Sequence, residues 1–199
     1  MALLRHDTAR DLAPAGQLHA SSLLPDLFFR ARSARELHAW MLHDGSLTDR
    51  LARAFGKVLV TPDREGTGTP AALEAALLEH PRSGGWWIRE ITLAAGNRPR
   101  LRARTLVPPS SFALQQRLRG LGATPLGRVL FRRDRLRPEV KRGRRGFARA
   151  ADGNWLRLTR YTVQRDHMLV IERILPAALT PYAPSPAASA TGVSTGAGR

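Results

Sequence analysis

Two charged residues stand where a charge is expensive to place. In the stretch WWIREITL, residues 86 to 93, the alternation of a β-strand puts Trp87, Arg89, Ile91 and Leu93 on one face, with Ile88, Glu90 and Thr92 on the other. In MLVIERILP, residues 168 to 176, Met168, Val170, Glu172 and Ile174 share a face in the same way. A guanidinium and a carboxylate thus sit in otherwise apolar rows, and leaving either ion buried without a partner costs several kcal/mol. Two readings are open. Arg89 and Glu172 form a structural ion pair, or they are the polar ends of one small cavity. In the second case the two-donor fork of Arg89 would hold a carboxylate and Glu172 would accept from a hydroxyl at the ligand's far end, an arrangement suited to an aromatic acid.

Other chemistries find less support. GTGTPA, residues 66 to 71, has the letters of a dinucleotide-binding turn. PDRE separates it from the preceding strand and no second parallel strand follows, so a surface loop is expected. It also lacks the Gly-Lys-Ser/Thr ending of a Walker-type phosphate loop. His6, His19, His38, His43, His80 and His167 show no metal-ligand spacing, and no Gly-x-Ser-x-Gly elbow is present. None of these patterns supports a metal, nucleotide or serine-hydrolase site.

The chain is long enough for one domain with a real core: 199 residues, 43% hydrophobic and 24% charged. It contains no cysteine, which excludes disulfides and thiolate metal sites and suits a reducing compartment. Charged residues from Arg5 to Asp11 interrupt the N-terminal apolar run, and no apolar run reaches membrane-spanning length, so a cytoplasmic protein without membrane insertion is expected. The net charge of +16 raises nucleic acid as a partner. Only Lys57 and Lys141 are lysines, and an Arg-, Ala- and Gly-rich composition reflects coding bias as readily as function. The most basic stretch, residues 132 to 149, has nine Arg or Lys against Asp134 and Glu139 but only Phe147 within it as an aromatic, too few for a stacking platform. It reads as a solvated basic loop.

The elements that must position Arg89 and Glu172 are legible. Residues 1 to 20 read as poorly ordered, 21 to 180 as the working domain, and the Pro/Gly/Ser-rich 181 to 199 as a disordered tail. Ser33 with Glu36 and Ser46 with Asp49 open two short helices joined by HDG, the second ended by Gly56. KVLVT is a strand and AALEAALLEH a helix stopped by Pro81. WWIREITL and RLRARTLVP form a hairpin around Gly96-Asn97, Ser110 or Ser111 caps FALQQRLRGLG, and Thr124-Pro125 starts PLGRVLF. NWLRLTRYTV and MLVIERILP make a second hairpin.

Taken in order, WWIREITL, ARTLVP, ATPLGRVLF, the tryptophan of NWLRLTRY and MLVIERILP resemble bacterial chorismate lyase over roughly residues 30 to 178. The resemblance implies an α+β fold, a single antiparallel sheet with helices and a helix-turn-helix flap over the active site. It implies cofactor-independent elimination of pyruvate from chorismate to give 4-hydroxybenzoate for ubiquinone biosynthesis. A monomer with no specific nucleic-acid partner is expected. By motif, Arg89 binds the ring carboxylate, Glu172 meets the ring hydroxyl, and Leu47 and Leu126 offer backbone N–H groups from helix starts. Leu47 stands where a methionine is expected, which spares a backbone contact and reshapes the pocket. Arg104, on the strand opposite Arg89, is a further substrate-binding candidate, for the enolpyruvyl carboxylate. The alternatives are a non-catalytic sensor of small aromatic acids with the same fold and a basic nucleic-acid-binding protein.

Overall fold

Both alternating stretches become neighbouring parts of one antiparallel sheet. A computed structural model describes residues 19 to 20, 32 to 132 and 135 to 179. In sequence order the strands are β1 (His19–Ala20), β2 (Val58–Gly68), β3 (Trp86–Ala95), β4 (Arg98–Val107), the short pair β5 (Phe131–Arg132) and β6 (Arg135–Leu136), then β7 (Val140–Arg149), β8 (Trp155–Val163) and β9 (Asp166–Ile174). All but β5 and β6 join in the order β1-β7-β8-β9-β4-β3-β2. The helices are α1 (Arg32–Met41), α2 (Leu47–Phe55), α3 (Ala72–Leu77), α4 (Phe112–Leu118), α5 (Gly127–Leu130) and α6 (Pro176–Leu179). The expected α+β fold with a single large antiparallel sheet is the observed one.

Burial explains why each strand tolerates both its faces. On one face, Trp40 and Met41 of α1 and Leu47, Leu51 and Phe55 of α2 pack on Ile91, Leu93, Leu101 and Ile174. Further along the same face, Leu114 and Leu118 of α4 and Leu130 of α5 cover Trp87, Val107, Met168 and Val170. The opposite face buries Ile88, Leu106, Leu158, Leu169 and Ile171, with Ala75 of α3 against it. Being covered on both faces, the central strands read as nearly continuous apolar runs in which alternation is visible only through the charged residues.

Local signals set the turns. Gly96 and Asn97 both have positive φ, at 57° and 58°, as a two-residue hairpin of the expected kind requires. The Ser46 side chain accepts from the Asp49 N–H at 3.2 Å, and Gly56 closes α2 at φ 80°. The start of α4 departs from expectation. Ser111 makes no cap; its hydroxyl accepts from His167 N–H at 2.8 Å, and Asp166, the first residue of β9, accepts from Leu114 N–H at 2.8 Å. A tertiary carboxylate has replaced the local cap.

Two expectations fail for one reason, which is pairing with a partner distant in sequence. β2 does not stop at Thr61 but runs to Gly68, so GTG is paired to Trp86, Trp87 and Ile88 and is no surface loop. The basic stretch 132 to 149 is largely strand β7, paired along β8, with Val140, Phe147 and Ala148 buried. Within the segment expected to be poorly ordered, His19 and Ala20 pair with Phe147 and Gly146. The rest of residues 1 to 18 and the tail from 181 lie outside the described residues.

Candidate active site

The face under α2 and α5 encloses a cleft of about 470 Å³, counting space open to solvent. Ile91, Leu93, Ala103, Leu126, Leu130 and Val170 supply an apolar wall, and the charged groups lining it are Glu172 and Arg157. The register explains the company. Ile91 pairs with Ala103, Ala103 with Glu172, and Glu172 with Arg157, so four adjacent strands bring these side chains into one row.

Glu172 is held from one side. Arg157 Nε donates to Oε2 at 2.7 Å and Nη2 lies 2.6 Å from the same oxygen. Arg157 is 1% exposed, so this pair is largely desolvated and its geometry is set by packing as much as by charge. Arg157 Nη1 also donates to the His43 carbonyl at 2.8 Å, which ties Glu172 to the α1–α2 turn. Tyr161 completes the polar end. Burial, and then the nearby Glu172 carboxylate, raise its phenol above the ordinary range against the opposing pull of Arg157. It therefore stays a hydroxyl donor through neutral pH.

Arg89 shares this face of the sheet but does not touch Glu172. It stands two strands across and two residues along, roughly 12 Å away by ordinary strand spacing and rise. The anion beside it is Glu65 on β2, 3.5 Å from Nε. A bulge between Pro62 and Arg64 puts Glu65 in register with Arg89 and so on its face; without the extra residue Glu65 would point away. Arg89 Nη2 donates to the carbonyls of Gly122 at 2.6 Å and Thr124 at 3.0 Å, pinning the segment that leads into α5. Burial lowers its pKa, and Glu65 raises it back only in part. Of the two readings of Arg89 and Glu172, the direct ion pair is excluded by this geometry, since each has a different partner.

The cleft's lid is built from two helix starts in contact. Leu47 is the first residue of α2 and Leu126 immediately precedes α5; both line the cleft. Gly127 makes this approach possible, because a Cβ there would lie 2.6 Å from Ser46 Oγ and 3.3 Å from Ser46 Cβ. The turn of the α1–α2 hairpin is also gripped from β7: Arg142 Nη1 meets Asp44 Oδ1 at 2.5 Å and Arg145 Nη1 meets it at 3.3 Å. A second bulge, between Arg142 and Arg145, puts both arginines on the cleft's side of the sheet.

A model of the family described as Chorismate lyase matches residues 26–181. The chain belongs to the chorismate lyase family. It is 42% identical over 144 residues to a chorismate pyruvate-lyase of Sodalis glossinidius (strain morsitans), covering 69% of this chain and 76% of that protein. It is 35% identical over 154 residues to a chorismate pyruvate-lyase of Salmonella gallinarum (strain 287/91 / NCTC 13346), covering 75% and 90%. Among solved structures, the effector domain of PhnF from Mycobacterium smegmatis gives a TM-score of 0.37 at 14% identity, covering 66% of this chain and 90% of that one, too low to carry an argument.

Against the expectations drawn from the chorismate lyase family, Glu172, Leu47 and Leu126 line the cleft, while Arg89 lies beyond the cleft wall, beneath the segment 122 to 124. Arg104 is elsewhere. Arg89 pairs with Thr105, which turns Arg104 to the opposite face beside Glu90, with which it forms an ion pair. Arg104 Nε also donates to Glu74 Oε1 at 2.8 Å. Burial opposes its charge, but Glu74 and then Glu90 outweigh that and raise its pKa. It is neither a cleft residue nor a solvated strand arginine.

The residue missed from sequence is Arg157. The alternation that singled out Glu172, applied to NWLRLTRYTV, puts Trp155, Arg157, Thr159, Tyr161 and Val163 on one face, and the register joins that face to Glu172. A contact as close as that at Gly127 is open to test. Gly127→Ala should displace Ser46 from the start of α2 and lower stability by about 1–3 kcal/mol, as overpacking does. Denaturant midpoints would register the loss, and an unchanged midpoint would mean that α2 and α5 adjust without strain.

Proposed function

We propose that this protein is a chorismate pyruvate-lyase that works without metal or organic cofactor in the cytoplasm. The observation that carries the reading is a half-buried carboxylate, Glu172, at one end of an apolar cleft in a chain of the chorismate lyase family. Chorismate has a ring carboxylate, an enolpyruvyl ether, and a hydroxyl on the next ring carbon. Glu172 Oε1, which takes no hydrogen bond from the described residues, accepts from that hydroxyl. At the other end the N–H groups of Leu47 and Leu126 meet the ring carboxylate, since a helix start offers unpaired donors and partial positive charge. Arg89, behind the cleft wall, adds its charge from the same side.

The reaction needs little more than this. The ether C–O bond breaks, the neighbouring C–H bond supplies electrons to make the ring aromatic, and the enolpyruvyl group leaves as pyruvate once its methylene carbon has gained the proton. The proton passes either directly in a cyclic rearrangement or through a base, and Glu172 is the carboxylate in reach. The protein's share is holding the reactive conformer and stabilising charge at the departing oxygen.

The test is to incubate the protein with chorismate, without metal or nucleotide, and follow products by chromatography. Equal amounts of 4-hydroxybenzoate and pyruvate support the lyase; neither product from folded protein rejects it. The two polar anchors make a separate prediction. A hydrogen bond to a charged group contributes about 1.5–3 kcal/mol, so 4-hydroxybenzoate should inhibit at least about tenfold better than benzoate. Equal inhibition would remove Glu172 as the hydroxyl anchor.

A further inference from the structure

We propose that Arg157 is the site of the substrate's second carboxylate, the one carried on the enolpyruvyl group. This deepens the lyase reading and rests on it. The enolpyruvyl ether is attached to the ring carbon adjoining the one that bears the hydroxyl. Once Glu172 holds the hydroxyl, the second carboxylate must lie within a few bonds' length of Glu172. Arg157 is the one cationic side chain among the described residues lining the cleft, and it touches Glu172.

Its donors are not exhausted. A guanidinium has five N–H groups. Here Nε and Nη2 face Glu172 Oε2, and Nη1 donates once to His43 O, so two N–H groups remain. The charge count points the same way. Arg142, Arg145 and Arg157 gather at this end of the cleft against Glu172 and Asp44, and Asp44 is 81% exposed, where solvent weakens its effect. Arg145 Nε and Nη2 are buried and have no hydrogen-bond partner among the described residues. Burial, then Arg157, then Arg142 hold the pKa of Arg145 below the ordinary range, the mark of a cationic group crowded by like charge. One more anion would relieve this excess. As the ether bond breaks, negative charge also moves toward the enolpyruvyl oxygen, where a fixed guanidinium stabilises it.

Two monocyclic probes isolate the second carboxylate: 3-(carboxymethoxy)benzoate and 3-methoxybenzoate. Neither carries the 4-hydroxyl, so the Glu172 anchor contributes to neither. Calorimetry at fixed ionic strength should show the wild type binding the diacid at least tenfold more tightly. Arg157→Gln should abolish that preference, and Arg157→Lys, which keeps a charge beside Glu172, should reduce it to less than about threefold. Arg144→Gln removes an exposed charge on β7 and should leave the preference intact, which separates the site from the general attraction of a basic protein. No measurable diacid binding, no preference in the wild type, or a preference surviving in Arg157→Lys at its full size overturns the proposal. If Arg157→Gln does not fold, judged by circular dichroism, the wild type and Arg157→Lys decide. Turnover of chorismate without a diacid preference would reject this site and leave the lyase standing. A diacid preference lost with Arg157, in a protein that does not turn over chorismate, would keep the site and reject the lyase.

Discussion

Glu172→Gln should lower kcat by about 10- to 100-fold while changing KM by less than about threefold. The asymmetry follows from the chemistry of the hydroxyl. In chorismate it is an alcohol; as the ring becomes aromatic it turns into a phenol, a much stronger acid, and its hydrogen bond to a carboxylate strengthens along the way. Only an interaction that grows toward the transition state accelerates the reaction. Gln keeps the shape and an acceptor but loses the charge, so that of the about 1.5–3 kcal/mol a bond to a charged group contributes only the about 0.5–1.5 kcal/mol of a neutral one remains. It also leaves Arg157, 1% exposed, without its carboxylate. Steady-state kinetics on variant and wild type measure both parameters. General base catalysis contributes about 10²–10⁴-fold, so a loss beyond about 10³ would mean that Glu172 takes the ring proton itself. A raised KM with unchanged kcat would show that Glu172 binds substrate and transition state alike, and would remove it from the chemical step.

The face assignments of Arg89 and Glu172 were legible in sequence because each sits alone in an apolar row. Their partners were not, and the reason is register. Glu65 stands beside Arg89 only because the bulge after Pro62 shifts β2 by a residue, and a bulge on a strand rich in charge leaves no alternation to read. Arg157 obeys the alternation, yet in a chain of net charge +16 a strand arginine reads as solvated until the pairing of β8 with β9 is known. The same excess of charge hid β7. Its apolar anchors Val140, Phe147 and Ala148 are too few, and the bulge between Arg142 and Arg145 breaks their period. Arg104 was misplaced by one residue of register, which in a strand turns a side chain to the other face. By contrast the Gly96-Asn97 turn, the Ser46 cap and the Gly56 stop rest on interactions within a few residues, and all three form as their local sequence dictates.

The largest stability effect is expected at the opposite face from the cleft. Arg104 and Glu74 are 2% and 0% exposed, and Glu74 also accepts from Ala71 N–H at 2.8 Å, capping α3. Glu74→Leu leaves Arg104 with Glu90 as its remaining carboxylate and uncaps α3. Breaking a buried ion pair by removing one partner costs about 3–5 kcal/mol. Glu90 retains part of the interaction, so a loss near the lower end, about 3 kcal/mol, is expected in denaturant unfolding. Exchanging both partners, Glu74→Leu with Arg104→Met, should recover most of it, because two apolar side chains of similar volume incur no desolvation of charge. The double-mutant cycle then gives a coupling energy of about 1–3 kcal/mol for the pair. Since Arg104 and the cleft lie on opposite faces of β4, kcat per folded molecule should be unchanged in the double variant. If turnover falls with stability intact, Arg104 acts on the reaction through the sheet and the separation of the two faces is wrong.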